Sequence, residues 1–215
     1  MSDHNFYKPK RLRISGGLLF VYLVLIFGAL VMTFPFVWTL LTSFKTPAEV
    51  FAKSPFWIPI PPRFLAYTEI ITKMPFLTYM FNSIKVATLI TTGQLITCSL
   101  AGYAFAKIKF PGRDFIFLLL LTTMMVPLAV TIIPNFIIIS KLKLTDTITG
   151  LVLPFIGSGY GIFLMRQFFL VFPSELEDSA KLDGCNPLGF FFYILLPNSK
   201  PILAMFGLIT FHWSW

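Results

Sequence analysis

PSELEDSAKLDGCNPLGFFFYILLPNSK, residues 173–200, is the stretch where acidic residues gather. Glu175, Glu177, Asp178 and Asp183 are four of the nine in the chain. Ser174 and Glu177 have the S-x-x-E spacing of a capping box, so a helix is expected to start at Ser174 with its acids in the first turn. Gly184 suits the left-handed position that ends such a helix. Asn186 then caps a second helix, with Pro187 at its first position, where a missing N–H costs nothing. Pro197 and Pro201 are expected to bound that second helix and open the next apolar run. Leu176 and Ala180, one turn apart, give the first helix one apolar face. The shape fits a docking element for a soluble partner, or equally an amphipathic loop resting on a membrane surface.

The flanks of this segment define the class of protein. Runs 14–44, 86–106, 115–140 and 147–165 contain no Asp, Glu, Lys or Arg. Each is long enough to cross a bilayer, which takes roughly 20 apolar residues. A fifth run, 201–215, is shorter, and the chain reads as stopping inside a helix. The composition agrees: 56% hydrophobic residues, 12% charged, mean hydropathy +0.81. Soluble domains carry about a quarter charged residues, and disordered chains are far less apolar. A net charge of +8 would otherwise suggest nucleic acid, but the 17 basic residues form no stripe and flank the apolar runs instead. This is a multi-pass, all-α membrane protein.

Lys8, Lys10, Arg11 and Arg13 precede the first run, so the positive-inside rule places the 1–13 tail in the cytoplasm. Alternating spans put 14–44 across the membrane, 45–78 outside, 107–114 inside, 141–146 outside and 166–200 inside. The first run is too long for a signal-peptide core. The outer segment 45–78, with its Pro-rich SPFWIPIPPRF, reads as a plain extended linker packed on the membrane surface, with Phe56 and Trp57 at the bilayer interface. Cys98 and Cys185 read as unpaired thiols without metal-ligand spacing.

The 173–200 spacing resembles the signature loop of ABC-transporter permeases, Glu-Ala-Ala, three residues, Gly, nine residues, Ile-x-Leu-Pro. Here Asp178-Ser179-Ala180 precede Gly184 by that interval, and Ile194-Leu195-Leu196-Pro197 follow after nine. Asp for Glu at 178 and Ser for Ala at 179 are small departures. Glu177 through Cys185 is similar to the sugar-importing form, E-E-A-A-x-I-D-G-A. MFNSIKVATLITTGQLITCSLAGYAFAKIKFPGR (80–113), MMVPLAVTIIPNFIIISKLKLTDTITGLVLP (124–154) and PFVWTLLTSFK (35–45) resemble spans of the maltose-type permeases.

The resemblance implies the type I ABC importer bundle. That fold has six spans, of which this chain would hold four whole ones and part of a fifth. A type-1 transmembrane domain would occupy 79–215, with 173–200 as its cytoplasmic coupling loop. The implied function is ATP-driven import of a sugar or oligosaccharide across the bacterial inner membrane. A non-sugar solute such as an amino acid or peptide is the alternative, and a scaffold or channel is more remote. The implied partners are a second permease subunit, two ATPase subunits that bind the ATP, an extracytoplasmic solute-binding protein, and lipid. Glu177, Asp178, Ser179 and Ala180 would face the ATPase, with Asp183 and Gly184 forming the turn and Ile194, Leu196 and Pro197 fixing the exit. Gly184→Asp is expected to uncouple hydrolysis from transport.

Polar and glycine positions within the spans are candidates for the translocation path. Gln94 and Asn135 could bond a sugar hydroxyl or, more simply, a neighbouring helix. Gly157 and Gly161 have the small-xxx-small spacing of a close helix contact, and a broken helix on the path is the sharper reading. Lys85 reads as snorkelling to headgroups and Arg166 as a helix anchor. No P-loop, H-E-x-x-H or Ser/His/Asp set is present, and with His4 and His212 at the extremes the chain does not read as an enzyme. No cofactor, metal site or nucleic-acid partner is expected.

Overall fold

The structure, a computed structural model, describes residues 16–52, 58, 59 and 61–215. The basic tail and the Phe56–Trp57 pair lie outside the described residues. The described chain is helical and forms two compact units, divided between Phe76 and Leu77.

In the first unit, α1 (Gly16–Ser43) runs 28 residues, its most apolar 18-residue stretch has a mean hydropathy of 2.5, and none of its residues is buried. An apolar helix exposed all round is what lipid contact requires. Pro35 sits within it, and Thr39 donates to the Pro35 carbonyl at 2.7 Å. Segment 45–78 is not a plain extended linker. It carries α2 (Pro47–Val50) and α3 (Leu65–Lys73). Thr46 and Glu49 close a reciprocal capping box at the start of α2: Glu49 N–H donates to Thr46 Oγ1 at 3.3 Å, and Thr46 N–H donates to Glu49 Oε2 at 2.7 Å. Arg63 N–H donates to the Phe44 carbonyl, and Ser43 and Tyr67 share a 2.8 Å hydrogen bond, so α3 is tied back to the end of α1.

The second unit is built on α4 (Phe76–Lys107), an unbroken helix of 32 residues containing the 86–106 run. The later runs are bent. Run 115–140 is divided into α5 (Arg113–Thr123) and α6 (Leu128–Lys141), which meet at 100°. Pro127 causes the break: it lacks an N–H and disfavours helical backbone at Val126. Run 147–165 is divided into α7 (Ile148–Val152), extended by a 3₁₀ turn over Leu153–Phe155, and α8 (Gly159–Val171), at 48°. Among the described residues, two helices are long and apolar enough to cross a membrane, or up to five if each bent pair counts as one span.

The segment that follows holds α9 (Ser174–Leu182), α10 (Pro187–Gly189), a π-helical turn (Phe190–Leu195) and α11 (Leu196–Asn198). It leads into α12 (Lys200–Ser214) through a 77° bend. Pro197 does not end the second helix. The wide turn before it admits the ring, and the chain stays helical to Asn198. At the bend, Asn198 Nδ2 donates to the Ile194 carbonyl at 2.6 Å and Ser199 Oγ to the Leu195 carbonyl at 2.7 Å. These side chains take up carbonyls that a straight helix would satisfy through its backbone.

Two kinds of contact hold this unit together. Between apolar helices in lipid, hydrophobicity offers little, because lipid tails are as apolar as Leu. Close backbone approach does the work. A Cβ on Gly102 would lie 2.6 Å from Met165 Cβ and 3.0 Å from the Arg166 nitrogen, so α4 and α8 touch there. At the other kind of contact, Phe190, Phe191 and Leu195 bury against Tyr103, Ala106 and Phe169. Each large apolar side chain withdrawn from water contributes about 1.5–3 kcal/mol.

Candidate functional site

Residues 173–200 form a short helical hairpin mounted on the ends of α4 and α8. Its first helix starts at Ser174, but the expected capping box does not form. Pro173 is the N-cap and no side chain caps the first turn. Glu177 is drawn elsewhere: its carboxylate lies 3.4 Å from Lys107 Nζ on α4 and 3.0 Å from Lys181 Nζ on its own helix. Lys107 also donates to the Phe172 carbonyl at 3.1 Å. Partial burial pushes the Glu177 carboxyl up, but the hydrogen bond and charge of Lys181, then those of Lys107, outweigh it. Its pKa lies below the ordinary carboxylate value.

The helix ends as its sequence predicts. Gly184 has φ +77°, Cys185 N–H reaches back to the Ala180 carbonyl at 2.9 Å, and Gly184 N–H to the Lys181 carbonyl at 3.0 Å. This paired pattern is the Schellman motif, and its left-handed residue favours glycine. Asn186 Oδ1 then accepts from Gly189 N–H at 2.6 Å, with Pro187 in the first turn. Tyr103 Oη donates to the Pro187 carbonyl at 2.9 Å, fastening the start of the second helix to α4.

The residues predicted to face a partner point in two directions. Asp178 and Ser179 are exposed, as are Asp183 and Gly184. Ala180 is only 5% exposed and packs into the core, while Glu177 turns to Lys107. Ile194 and Leu196 are half-buried and Pro197 is exposed. The outward face also carries large apolar side chains that motif reasoning passed over. Leu182 is 90% exposed, Tyr193 82% and Leu188 61%. For Leu182 and Leu188 the signal was available, as apolar residues on either side of the Asp183-Gly184 turn.

The span candidates gather around the break in the α7–α8 region. Gln94 Nε2 donates to the Phe155 carbonyl at 2.8 Å, Thr97 Oγ1 to the Ile156 carbonyl at 2.7 Å, and Cys98 Sγ to the Ser158 carbonyl at 3.6 Å. Three α4 side chains within little more than one turn thus supply donors to backbone that a continuous helix would have satisfied itself. Such breaks persist at membrane depth only where other groups pair the freed carbonyls. The close-contact reading applies to Gly161, where a Cβ would strike the Phe206 ring and lie 2.7 Å from Cys98 Sγ. It does not apply to Gly157, which has open space around it.

Gln94 lines a cavity of about 680 Å³ with Ser158, Tyr160, Thr210 and Trp213. Asn135 lines another of about 490 Å³ with Asn82 and Asp146, and Val86 and Leu151 border both. Arg166 stands apart from these cavities as an anchor. Its Nε donates to the Phe105 carbonyl at 3.2 Å and its guanidinium lies over the Phe117 ring at 4.2 Å.

Comparison with known proteins places this architecture. Residues 95–215 match the family described as binding-protein-dependent transport system inner membrane component. The sn-glycerol-3-phosphate transport system permease protein UgpE of Yersinia enterocolitica is 34% identical over 203 residues, covering 92% of this chain and 72% of that protein. Its counterpart in Pectobacterium atrosepticum is 40% identical over 141 residues, covering 66% of this chain and 50% of that one. Among solved structures, a chain of a bacterial ABC transporter involved in the import of the acidic polysaccharide alginate superposes with a TM-score of 0.81 at 27% identity. The match covers 93% of this chain and 70% of that one. The fold is therefore that of an ABC importer permease, a multi-pass inner-membrane protein. The chain belongs to the binding-protein-dependent transport system inner membrane component family.

Proposed function

We propose that this permease imports a sugar or another hydroxyl-rich solute, in complex with a second permease subunit, two ATPase subunits and an extracytoplasmic solute-binding protein. ATP binds to the ATPase partners, and the N-terminal tail lies in the cytoplasm. The substrate reading is supported by the relatives, whose names specify a glycerol phosphate and a polysaccharide. Segment 173–200 carries ATPase motion into the spans. The observation behind this role is its mounting: an outward face of Asp178, Ser179 and Leu182 stands on a helix whose inward face is locked to α4 through Ala180 and Glu177. A push on the outer face passes to α4 and α8 without slack, because packed interiors shift as units.

The Gly184 turn tests the coupling. A Cβ there meets nothing within 4 Å, so substitution acts through the left-handed backbone alone. Asp tolerates that conformation better than a β-branched residue, which makes Gly184→Val the sharper variant. In proteoliposomes holding the whole transporter, Gly184→Val is expected to keep ATP hydrolysis while losing ATP-dependent uptake, and Gly184→Asn to retain both. Full uptake by the Val variant would remove the coupling role.

A further inference from the structure

Where α4 leaves its uncharged run, a pocket of about 370 Å³ opens between the helix end and the hairpin. Its charged lining is three lysines, Lys107, Lys109 and Lys181, and one carboxylate, Glu177. Glu177 serves two of the three, with Lys107 Nζ at 3.4 Å and Lys181 Nζ at 3.0 Å. The Lys107 side chain is only 11% exposed, and it also donates to the Phe172 carbonyl. Lys181 lies 3.6 Å from Asp178 as well, whose side chain faces solvent. Among the described residues, Lys109 makes no ion pair. Ile108, Pro187 and Phe190 give the same pocket an apolar wall, and the Cys185 thiol borders it.

We infer that this pocket binds a phosphate-bearing anion, gripped by Lys107, Lys109 and Lys181, and that the bound anion ties the hairpin to α4. Three ammonium groups around one carboxylate repel one another in a partly desolvated pocket, and an anion entering from outside offsets that excess. A phosphate suits the arrangement because its oxygens accept charge-assisted hydrogen bonds from several ammonium groups at once. A phospholipid headgroup and free phosphate share this chemistry, and two features favour the headgroup. Lys107 is the first charge after the 86–106 run, so it marks the depth at which an apolar span meets headgroups. Ile108, Pro187 and Phe190 seat the glycerol and first acyl carbons that accompany such a phosphate. Basic pockets between membrane helices take anionic headgroups in this way. Lys107 closes α4 and Lys109 follows it, whereas Lys181 belongs to α9, so one anion bridges both elements.

The test uses the full protein with its co-purifying subunits in an uncharged detergent. It is titrated with dioctanoyl-phosphatidylglycerol, dioctanoyl-phosphatidylcholine or inorganic phosphate at constant ionic strength. Unfolding temperature is one readout, and the rate of maleimide attack on Cys185, which lines the pocket, is the other. Phosphatidylglycerol is expected to raise the first and slow the second along one saturation curve, and zwitterionic phosphatidylcholine to do neither. Lys109→Gln should weaken binding about fivefold, the weight of one lysine facing an anionic headgroup, and Lys109→Arg should restore it. Lys141→Gln, which removes an exposed lysine outside the pocket, should bind as the parent does. Both effects from phosphate alone, with the same dependence on Lys109, would support an anion site filled from water rather than from the bilayer. Equal affinity in Lys109→Gln and Lys141→Gln, or Cys185 labelling that no probe slows, would overturn the inference. So would the absence of a response to all three probes.

Discussion

Glu177 shows how one side chain can depart from its motif role. By spacing it belongs to a capping box and to the outward acidic patch, yet Lys107 and Lys181 hold its carboxylate against α4. Replacing it with Gln keeps the shape and removes the charge. A hydrogen bond to a charged group is worth about 1.5–3 kcal/mol, so Glu177→Gln is expected to lower stability by an amount of that order. The sign of the pH dependence follows from the depressed pKa. A carboxyl whose folded pKa lies below its ordinary 4.5 stabilises the fold above that value and loses the contribution as pH falls through the folded pKa. Thermal unfolding of the purified complex should therefore show a drop on acidification from neutral pH to below 4.5 that is smaller in Glu177→Gln. An identical drop in both proteins would mean that the pair does not anchor the hairpin.

At the scale of elements, the bends matter more than the straight helices. The α7–α8 break survives because α4 supplies Gln94, Thr97 and Cys98 as donors, and because Gly161 lets α8 close on Cys98 and Phe206. Gly161→Val would overpack that contact, at about 1–3 kcal/mol. Scanning fluorimetry in detergent should register a lower unfolding temperature for Gly161→Val, whereas Gly157→Ala, in open space, should match the parent. The two cysteines offer a second check on the packing. Cys98 is fully buried and Cys185 is partly exposed. A maleimide is expected to label Cys185 in the folded protein and Cys98 only after denaturation. Rapid labelling at both positions would contradict the tight α4–α8–α12 contact.

For the second unit as a whole, the hairpin and the Gln94 cavity share the same beams. The hairpin stands on α4 and α8 at Tyr103, Ala106 and Phe169, while the cavity is bordered by α4 and α8 farther along, at Gln94 and Ser158. A displacement of the hairpin therefore reaches the cavity walls through two helices already in backbone contact at Gly102. Under the proposed coupling role, Gly184 variants are expected to impair uptake while leaving the cavity, whose lining does not include Gly184, unchanged.

The amino-acid sequence alone determined the features that arise within a few residues of one another. Apolar runs without charge dictated membrane helices, because lipid cannot satisfy an exposed backbone. Gly184 and Asn186 set the turn between the hairpin helices, because caps are local hydrogen bonds. Pro127, read from sequence as part of one continuous span, breaks it, and the local signal was there to be used. Only the tertiary structure decided which way each side chain faces. Ala180 and Glu177 turn inward because Lys107 and the α4 surface await them, some 70 residues away in the chain. The α7–α8 break and the Gln94 cavity likewise depend on distant partners: Gln94 meets Phe155 across 61 residues and Thr210 across 116. Such pairings depend on how helices pack in three dimensions, and no periodicity along the chain encodes them.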